Sequence, residues 1–199
     1  MNWKKMMAVK KANTELPKKV VIGLDDSFPP MGFKDDKGEI VGFDIDLAKE
    51  AAKRAGMEVE FKAIDWSSKE AELKSKKIDA LWNGLTVSPE REKNILFSNV
   101  YMKDKQYIIV RNEDESIKGK ADLAGKVVAR YLMTKEPGKY KIVEGTDYGV
   151  DNFAIGFRKE DTALRDKING ILAEMKKDGT ADKIAEKWLG SGADLDKSD

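Results

Sequence analysis

Val20-Val21-Ile22-Gly23-Leu24-Asp25-Asp26-Ser27-Phe28-Pro29-Pro30 runs from an uninterrupted apolar stretch into an acidic, aromatic and proline-bearing turn. The apolar part has the length and branching of a buried strand, so a strand is predicted that ends in a loop able to present side chains. Downstream, Ile45, Ala48, Ala52 and Ala55 fall on one helical face, with Asp44 placed to cap the N-terminus and Gly56 to end the helix. Val59, Phe61 and Ala63 alternate with Glu58, Glu60 and Lys62, which predicts a second strand, and Ser67 to Glu70 has capping-box spacing for the next helix. Ile78 to Trp82 reads as a third strand. Strand and helix repeating at this length predict an α/β fold: a largely parallel sheet covered by helices, with ligands beyond the strands' C-terminal ends. Three such ends carry unusual residues: Asp25 to Phe28, Asp65-Trp66 and Asn83 to Thr86.

Further along, Ser88-Pro89 suits a cap and first helical turn, and Gln106 to Val110 reads as a strand. The charged, turn-rich stretch Asn112 to Lys120 leads from one lobe into another. Asn152 to Phe157 is strand-like again. Helices over 162–177 and 181–189 are split by Asp178-Gly179, and the polar tail from Gly190 is expected to fray.

Composition narrows the chemistry. Among 199 residues, 37 Lys and Arg nearly cancel 36 Asp and Glu, so no global field exists to hold nucleic acid or an anionic membrane. The chain has no Cys and no His, which removes disulfides, thiolate and imidazole metal sites, and nucleophile–imidazole catalysis. No cofactor and no metal are expected. Nor is membrane insertion, since no apolar run approaches spanning length. Met6-Met7-Ala8-Val9, followed at once by Lys10-Lys11, is too short for the apolar centre of a signal peptide, so no export signal is read.

The stretch Trp82-Asn83-Gly84-Leu85-Thr86-Val87-Ser88-Pro89-Glu90-Arg91 has the groups to bind an α-amino acid. Arg91 offers a planar charged fork for a carboxylate, Thr86 a hydroxyl and a backbone N–H, and Gly84 a carbonyl for an ammonium. The plainer alternative has Arg91 paired with a surface Glu, Thr86 packing at a strand end and Gly84 merely turning the chain; chemistry alone favours it, because exposed arginines are the rule. Phe28, beside two prolines, is either a ring face for a ligand or a loop anchor. Asp25 and Asp26 suit a cationic or amide side chain, acid–base chemistry or a hard cation, although no second carboxylate cluster supports the cation. Trp66 either walls a pocket or packs on the sheet edge.

As a set these residues resemble the polar-amino-acid solute-binding proteins of ABC transporters. The likeness runs from Val20 to Arg111 through Ile22-Gly23-x-Asp25, Phe28-x-Pro30, Gly42-Phe43-Asp44-Ile45-Asp46-Leu47-Ala48, Lys77-Ile78-Asp79-Ala80, and Asn83-Gly84-Leu85-Thr86 followed by Arg91. The resemblance implies a periplasmic-binding-protein fold, in which two α/β lobes joined by crossing strands close over a small polar or charged L-amino acid. It implies that Arg91 and Thr86 hold the α-carboxylate and that Gly84 and Thr86 face the ammonium. Phe28 and Trp66 would sandwich the side chain, with Asp25 or Asn83 near its tip. An ABC permease is the implied partner, and the periplasm or, with a lipid anchor, the cell exterior the implied location. Lobe 1 would comprise residues 20–104 and 159–190, with hinge strands and lobe 2 in 105–158, an N-terminal extension in 1–19 and a polar tail in 191–199.

One departure stands out. Asp122 to Val128 is similar to the opening of the second lobe, yet Val128 runs directly into Ala129, where the family has a helix, strands and a ligand-binding Asp. The expectation is one complete parallel-sheet lobe with a truncated partner. It carries weak amino-acid binding unless another chain completes the site, and dimerisation or segment exchange through exposed edges. Two other readings stand beside receptor function: an engineered or structural fragment that binds nothing, and an enzyme like the cyclohexadienyl dehydratases of the same fold, using Asp25, Asp26 or Glu70 as a general acid. Non-enzymatic binding is the leading one.

Overall fold

The computed structural model describes residues 16–105, 109–116, 138–143, 149–190 and 195. The Val128–Ala129 junction and the 122–133 stretch lie outside them.

Strand β1 (Lys19–Leu24) carries the first prediction faithfully. It lies between two parallel neighbours, β5 (Glu58–Ala63) and β6 (Ala80–Leu81), with Ile22 opposite Phe61 on one side and Ala80 on the other. The sheet is less parallel than its sequence suggests. Its order is β5-β1-β6-β12-β7, and β12 (Gly156–Phe157) runs antiparallel to both β6 and β7 (Leu96–Phe97). The physical reason is connectivity: β12 is reached by chain returning through the hinge strands, so it enters from the opposite end with no crossover helix to enforce parallel pairing.

Both faces of this sheet are covered. Helix α1 (Phe43–Ala55) and the C-terminal helices Thr162–Lys177 and Thr180–Leu189 pack on Val20, Ile22, Ala80, Trp82 and Phe157. On the other face, α2 (Lys69–Lys74) contributes Leu73 to a smaller cluster with Ile78, Leu81, Leu85 and Ile95. Gly56 ends α1 in the left-handed conformation, as its sequence position implies. The N-terminus differs from expectation. Gly42 is the N-cap, and Asp44 lies inside the first turn with its carboxylate turned away from the helix end. The Ser67 capping box also fails to form. Asp65 starts the turn earlier, accepting from Ser67 N at 2.9 Å and Ser67 Oγ at 2.7 Å, so a 3₁₀ turn over Trp66–Ser68 precedes α2.

The loop side of the lobe is an antiparallel meander of β2 (Ser27–Phe28), β3 (Gly32–Lys34) and β4 (Ile40–Val41). Two crossing strands, β8 (Met102–Lys105) and β11 (Val150–Phe153), pair antiparallel, with Phe153 opposite Met102. Beyond them, β9 (Ile109–Arg111) and β10 (Tyr140–Ile142) form a two-stranded ribbon. The predicted strand at 106–110 is seen only in its last two residues, since 106–108 lie outside the described set. In the tail, Leu195 corrects the expectation of fraying at that point: it is buried and bridges Met102.

Arg158 fastens the antiparallel half of the sheet to the parallel half. Its Nη2 meets Asp79 Oδ1 at 2.8 Å, its Nε meets Asp161 Oδ2 at 2.6 Å, and its Nη1 donates to the Ile78 carbonyl at 2.5 Å. Asp161 is buried, so removing the guanidinium strands a carboxylate away from water. Arg158→Ala is therefore expected to cost about 3 kcal/mol of stability, read from urea unfolding with an unchanged m-value. A loss below about 0.5 kcal/mol would show the pair to be solvent-screened.

Candidate functional site

Gly84, Thr86 and Arg91 lie on one turn after β6. Ser88 caps the helix α3 (Pro89–Glu92), with Pro89 at its first position and Ser88 Oγ accepting from Arg91 N at 3.4 Å. That turn directs the Arg91 side chain back over the loop, where Nη1 donates to the Thr86 carbonyl at 2.8 Å. Among the described residues no carboxylate lies within ion-pair distance of Arg91, so the surface-Glu alternative is not what forms. The guanidinium is half-buried, oriented and still short of an anion.

Thr86 forms a bridge to Phe153, flanked by the bonds Val87 N to Asn152 O at 2.9 Å and Ala154 N to Leu85 O at 3.0 Å. It is thus the wide, non-bonded pair of an antiparallel ladder, with its N–H and carbonyl pointing away from β11. The carbonyl is taken by Arg91. The N–H and the hydroxyl meet no protein partner among the described residues. Two donors and a charged fork therefore stand together beside the crossing strands.

Gly84 adopts φ +58°, and a Cβ there would stand 2.8 Å from Phe28 Cε1 and 3.3 Å from Phe153 Cε2. Glycine lets the Phe28 ring close down on the loop while the ring stays 43 % exposed. Phe28 thus both anchors the loop and offers a free face. Asp25 closes a local turn by accepting from Ser27 N at 2.9 Å and Ser27 Oγ at 2.6 Å, while Asp26 pairs with Lys34 at 2.5 Å.

Asn83 departs from its expected place near a ligand's tip. Its side chain is 1 % exposed, and Nδ2 donates to the Asp25 carbonyl at 2.8 Å. Oδ1 is buried without a hydrogen-bond partner among the described residues, pressed so close to Gly32 that a Cβ there would stand 2.3 Å away. Asn83 fastens the Asp25 loop to the end of β6 and so positions Asp25.

Two residues have roles that the sequence does not show. Lys69 Nζ stands 5.3 Å above the Trp66 ring and donates to the Trp66 carbonyl at 3.1 Å. Burial first, then the Arg91 charge, hold its ammonium below the usual lysine range, which puts a second cation on the Trp66–Arg91 side of the site. Among the described residues it has no ion pair. Its position in the first turn of a helix gave no sign of this. The other is Asp44, fully buried, with Oδ2 accepting from Gly84 N at 2.7 Å and from the Tyr101 hydroxyl at 3.0 Å.

Comparisons with known proteins agree on kinship. The sequence profile of the bacterial extracellular solute-binding proteins, family 3, matches residues 20–191. L-cystine-binding protein TcyJ of Escherichia coli strain K12 is 28% identical over 226 residues, covering 89% of this chain and 84% of the relative. That alignment is longer than the 199-residue chain itself, so it sets stretches of the relative opposite gaps here. Arginine-binding extracellular protein ArtP of Bacillus subtilis strain 168 is 35% identical over 185 residues, covering 89% of this chain and 67% of the relative. The solved structure of an ancestral arginine-binding protein bound to arginine superposes with a TM-score of 0.74 at 34% identity, over 88% of this chain and 100% of that one. With the α/β lobe, the crossing strands and a profile match across most of the sequence, this chain belongs to the bacterial extracellular solute-binding proteins, family 3.

Proposed function

We propose that the chain binds an α-amino acid outside the cytoplasm for delivery to an ABC permease, without chemistry of its own. The observation that carries this reading is the pairing of Arg91, oriented and lacking an anion among the described residues, with the N–H and hydroxyl of Thr86, which meet no partner among them either. A carboxylate accepting from a guanidinium, an amide and a hydroxyl satisfies all three at once. The Gly84 carbonyl takes the ammonium, and Phe28 and Trp66 take the side chain. Catalysis finds less support, since two of its three candidate acids are engaged locally, Asp25 by Ser27 and Asp26 by Lys34. The abrupt Val128–Ala129 passage and the gapped alignment with TcyJ support a shortened second lobe, and with it lower affinity than a complete clamshell reaches.

Isothermal titration of the intact chain with L-arginine, L-histidine, L-glutamine and L-cystine tests the reading. At least one should bind saturably at micromolar to millimolar concentration; silence from all four, supported by ligand-detected NMR, would favour a fragment that binds nothing. Lys69 adds a second positive charge on the carboxylate's side, so Lys69→Ala is expected to weaken the best ligand about 3- to 10-fold, an ordinary value for a partly exposed cation. Unchanged affinity would leave Lys69 outside the site.

A further inference from the structure

Asp44 is a charged group where the first turn of a helix meets a hydrophobic core; the helix N-terminus favours a carboxylate nearby but does not call for one buried here. Gly42, not Asp44, caps α1. The side chain is 0 % exposed, and one oxygen, Oδ2, accepts from both Gly84 N and Tyr101 Oη. Gly84 belongs to the binding turn and Tyr101 immediately precedes the crossing strand β8. A single carboxylate oxygen therefore joins the lobe's first helix, the ligand loop and the hinge. Among the described residues its other oxygen, Oδ1, and the Trp82 indole N–H are both buried and make no well-formed hydrogen bond, although the indole lies close enough to favour the ionised carboxylate.

Burying a carboxylate with one oxygen poorly satisfied is costly, and a neutral Asn or Gln would complete the Gly84 bond at less expense. What the carboxylate adds is charge. Behind the Gly84 peptide, in surroundings of low polarisability, it biases the loop toward a positively charged guest far more than a surface carboxylate does.

We propose that Asp44 is the positioning residue of the amino-acid site, its ionised carboxylate fixing the Asn83–Gly84 peptide and supplying, from behind the loop, the negative potential that the ligand's ammonium meets at the neighbouring Gly84 carbonyl. The proposal rests on the amino-acid reading above. It also explains how a chain with a shortened second lobe keeps an anionic counterpart for the ammonium.

Burial pushes the Asp44 carboxyl up to about 7, against the opposing pull of the Gly84 N–H, the Tyr101 hydroxyl and the Trp82 indole. Tyr101 is the titratable group in contact with it; burial, and then the Asp44 charge, keep that phenol protonated. Asp46, two residues along the helix, is drawn outward by Lys187 Nζ at 2.6 Å and Trp188 Nε1 at 2.8 Å. The signs follow. A carboxyl whose native value lies above its unfolded value of 3.8 makes the fold more stable at low pH, and that stability is lost as pH rises toward about 7. Ligand affinity runs the opposite way, because only the ionised form attracts the ammonium; it tightens through the same range, and binding releases protons.

The test has a ligand arm and a ligand-free arm. With the best-binding amino acid of the panel, calorimetry between pH 5.5 and 8.5 should show affinity rising about tenfold in the parent chain and staying flat in Asp44→Asn, one pKa unit of coupling being tenfold. Without ligand, the Gly84 amide resonance should titrate with a midpoint near that of Asp44 and cease to move in Asp44→Asn. Tyr101→Phe removes one donor to the carboxylate, so both midpoints should shift upward; this variant serves if Asp44→Asn does not fold. A Gly84 amide that does not titrate, a pH-independent affinity, or a pH profile surviving in Asp44→Asn overturns the proposal. If no amino acid binds the parent chain but the Gly84 amide still titrates with Asp44, the receptor reading has failed and the Asp44–Gly84 coupling stands.

Discussion

Arg91→Ala is expected to weaken amino-acid binding about 30-fold to several thousand-fold, the equivalent of 2 to 5 kcal/mol for removing one partner of a desolvated charge pair. The size of the effect follows from what Arg91 already does without ligand. Its bond to the Thr86 carbonyl at 2.8 Å holds the guanidinium in place, so a carboxylate is met by a fork whose entropy is already spent. The same bond predicts that the fold survives. Arg91 makes no ion pair among the described residues, and losing one half-buried hydrogen bond costs about 1 kcal/mol, so circular dichroism and urea midpoint should hardly change. Arg91→Lys is expected to recover little, because an ammonium cannot hold the Thr86 carbonyl and a bidentate carboxylate together. Calorimetry on the three proteins decides it. Unchanged binding in Arg91→Ala would move the carboxylate site elsewhere, and loss of folding would make the residue structural.

Residues placed by local backbone geometry were legible; residues that act across the chain were not. Ser88-Pro89 sets a helix start that turns Arg91 back on Thr86, all within a few positions, and the sequence shows every part of it. Strand β1, the left-handed stop at Gly56 and the break at Asp178-Gly179 are equally local. Asp44 was misread for the opposite reason. An acidic residue at the head of an apolar periodicity reads as a cap, and only the folded chain brings Gly84 N, forty residues on, within 2.7 Å of it. Asn83 was drawn toward the ligand by its place at a strand end, but its amide is taken by the Asp25 carbonyl 58 residues away. Likewise the antiparallel β12 depends on which end of the sheet the chain re-enters, a property of the path between lobes and not of Gly156-Phe157. Arg158 gave no sign of its long-range role either, since Asp79 and Ile78 are about eighty positions away and only Asp161 is near in sequence.

Gly42→Ala is expected to be the most damaging single-methyl change in the lobe. Gly42 has φ +141° and ψ 176°, a region in which essentially only glycine is found, so any side chain begins with about 1 to 3 kcal/mol of strain. Contact adds to it. The new Cβ would lie 2.3 Å from Met31 O, 2.7 Å from Met31 C and 2.9 Å from Pro30 O, all backbone atoms that cannot rotate aside. Those carbonyls are also acceptors: Phe43 N donates to Pro30 O at 2.8 Å and Asp44 N to Met31 O at 2.9 Å, so relief by backbone movement breaks the bonds that start α1. A total of about 3 kcal/mol or more is expected, which for a chain of this size lowers the melting temperature by roughly 6 to 12 °C. Gly38→Ala is the control. Gly38 also has positive φ, at +80°, but nothing lies within 4 Å of its Cβ position, so it should lose only the conformational part, about 1 kcal/mol. Equal losses in the two variants would mean that the close approach to Met31 relaxes at no cost. A larger loss at Gly42 should bring weaker ligand binding with it, because displacing the first turn of α1 carries Asp44 away from Gly84 N. The helix start and the ligand loop would then fail together, although Gly42 itself touches neither the loop nor the guest.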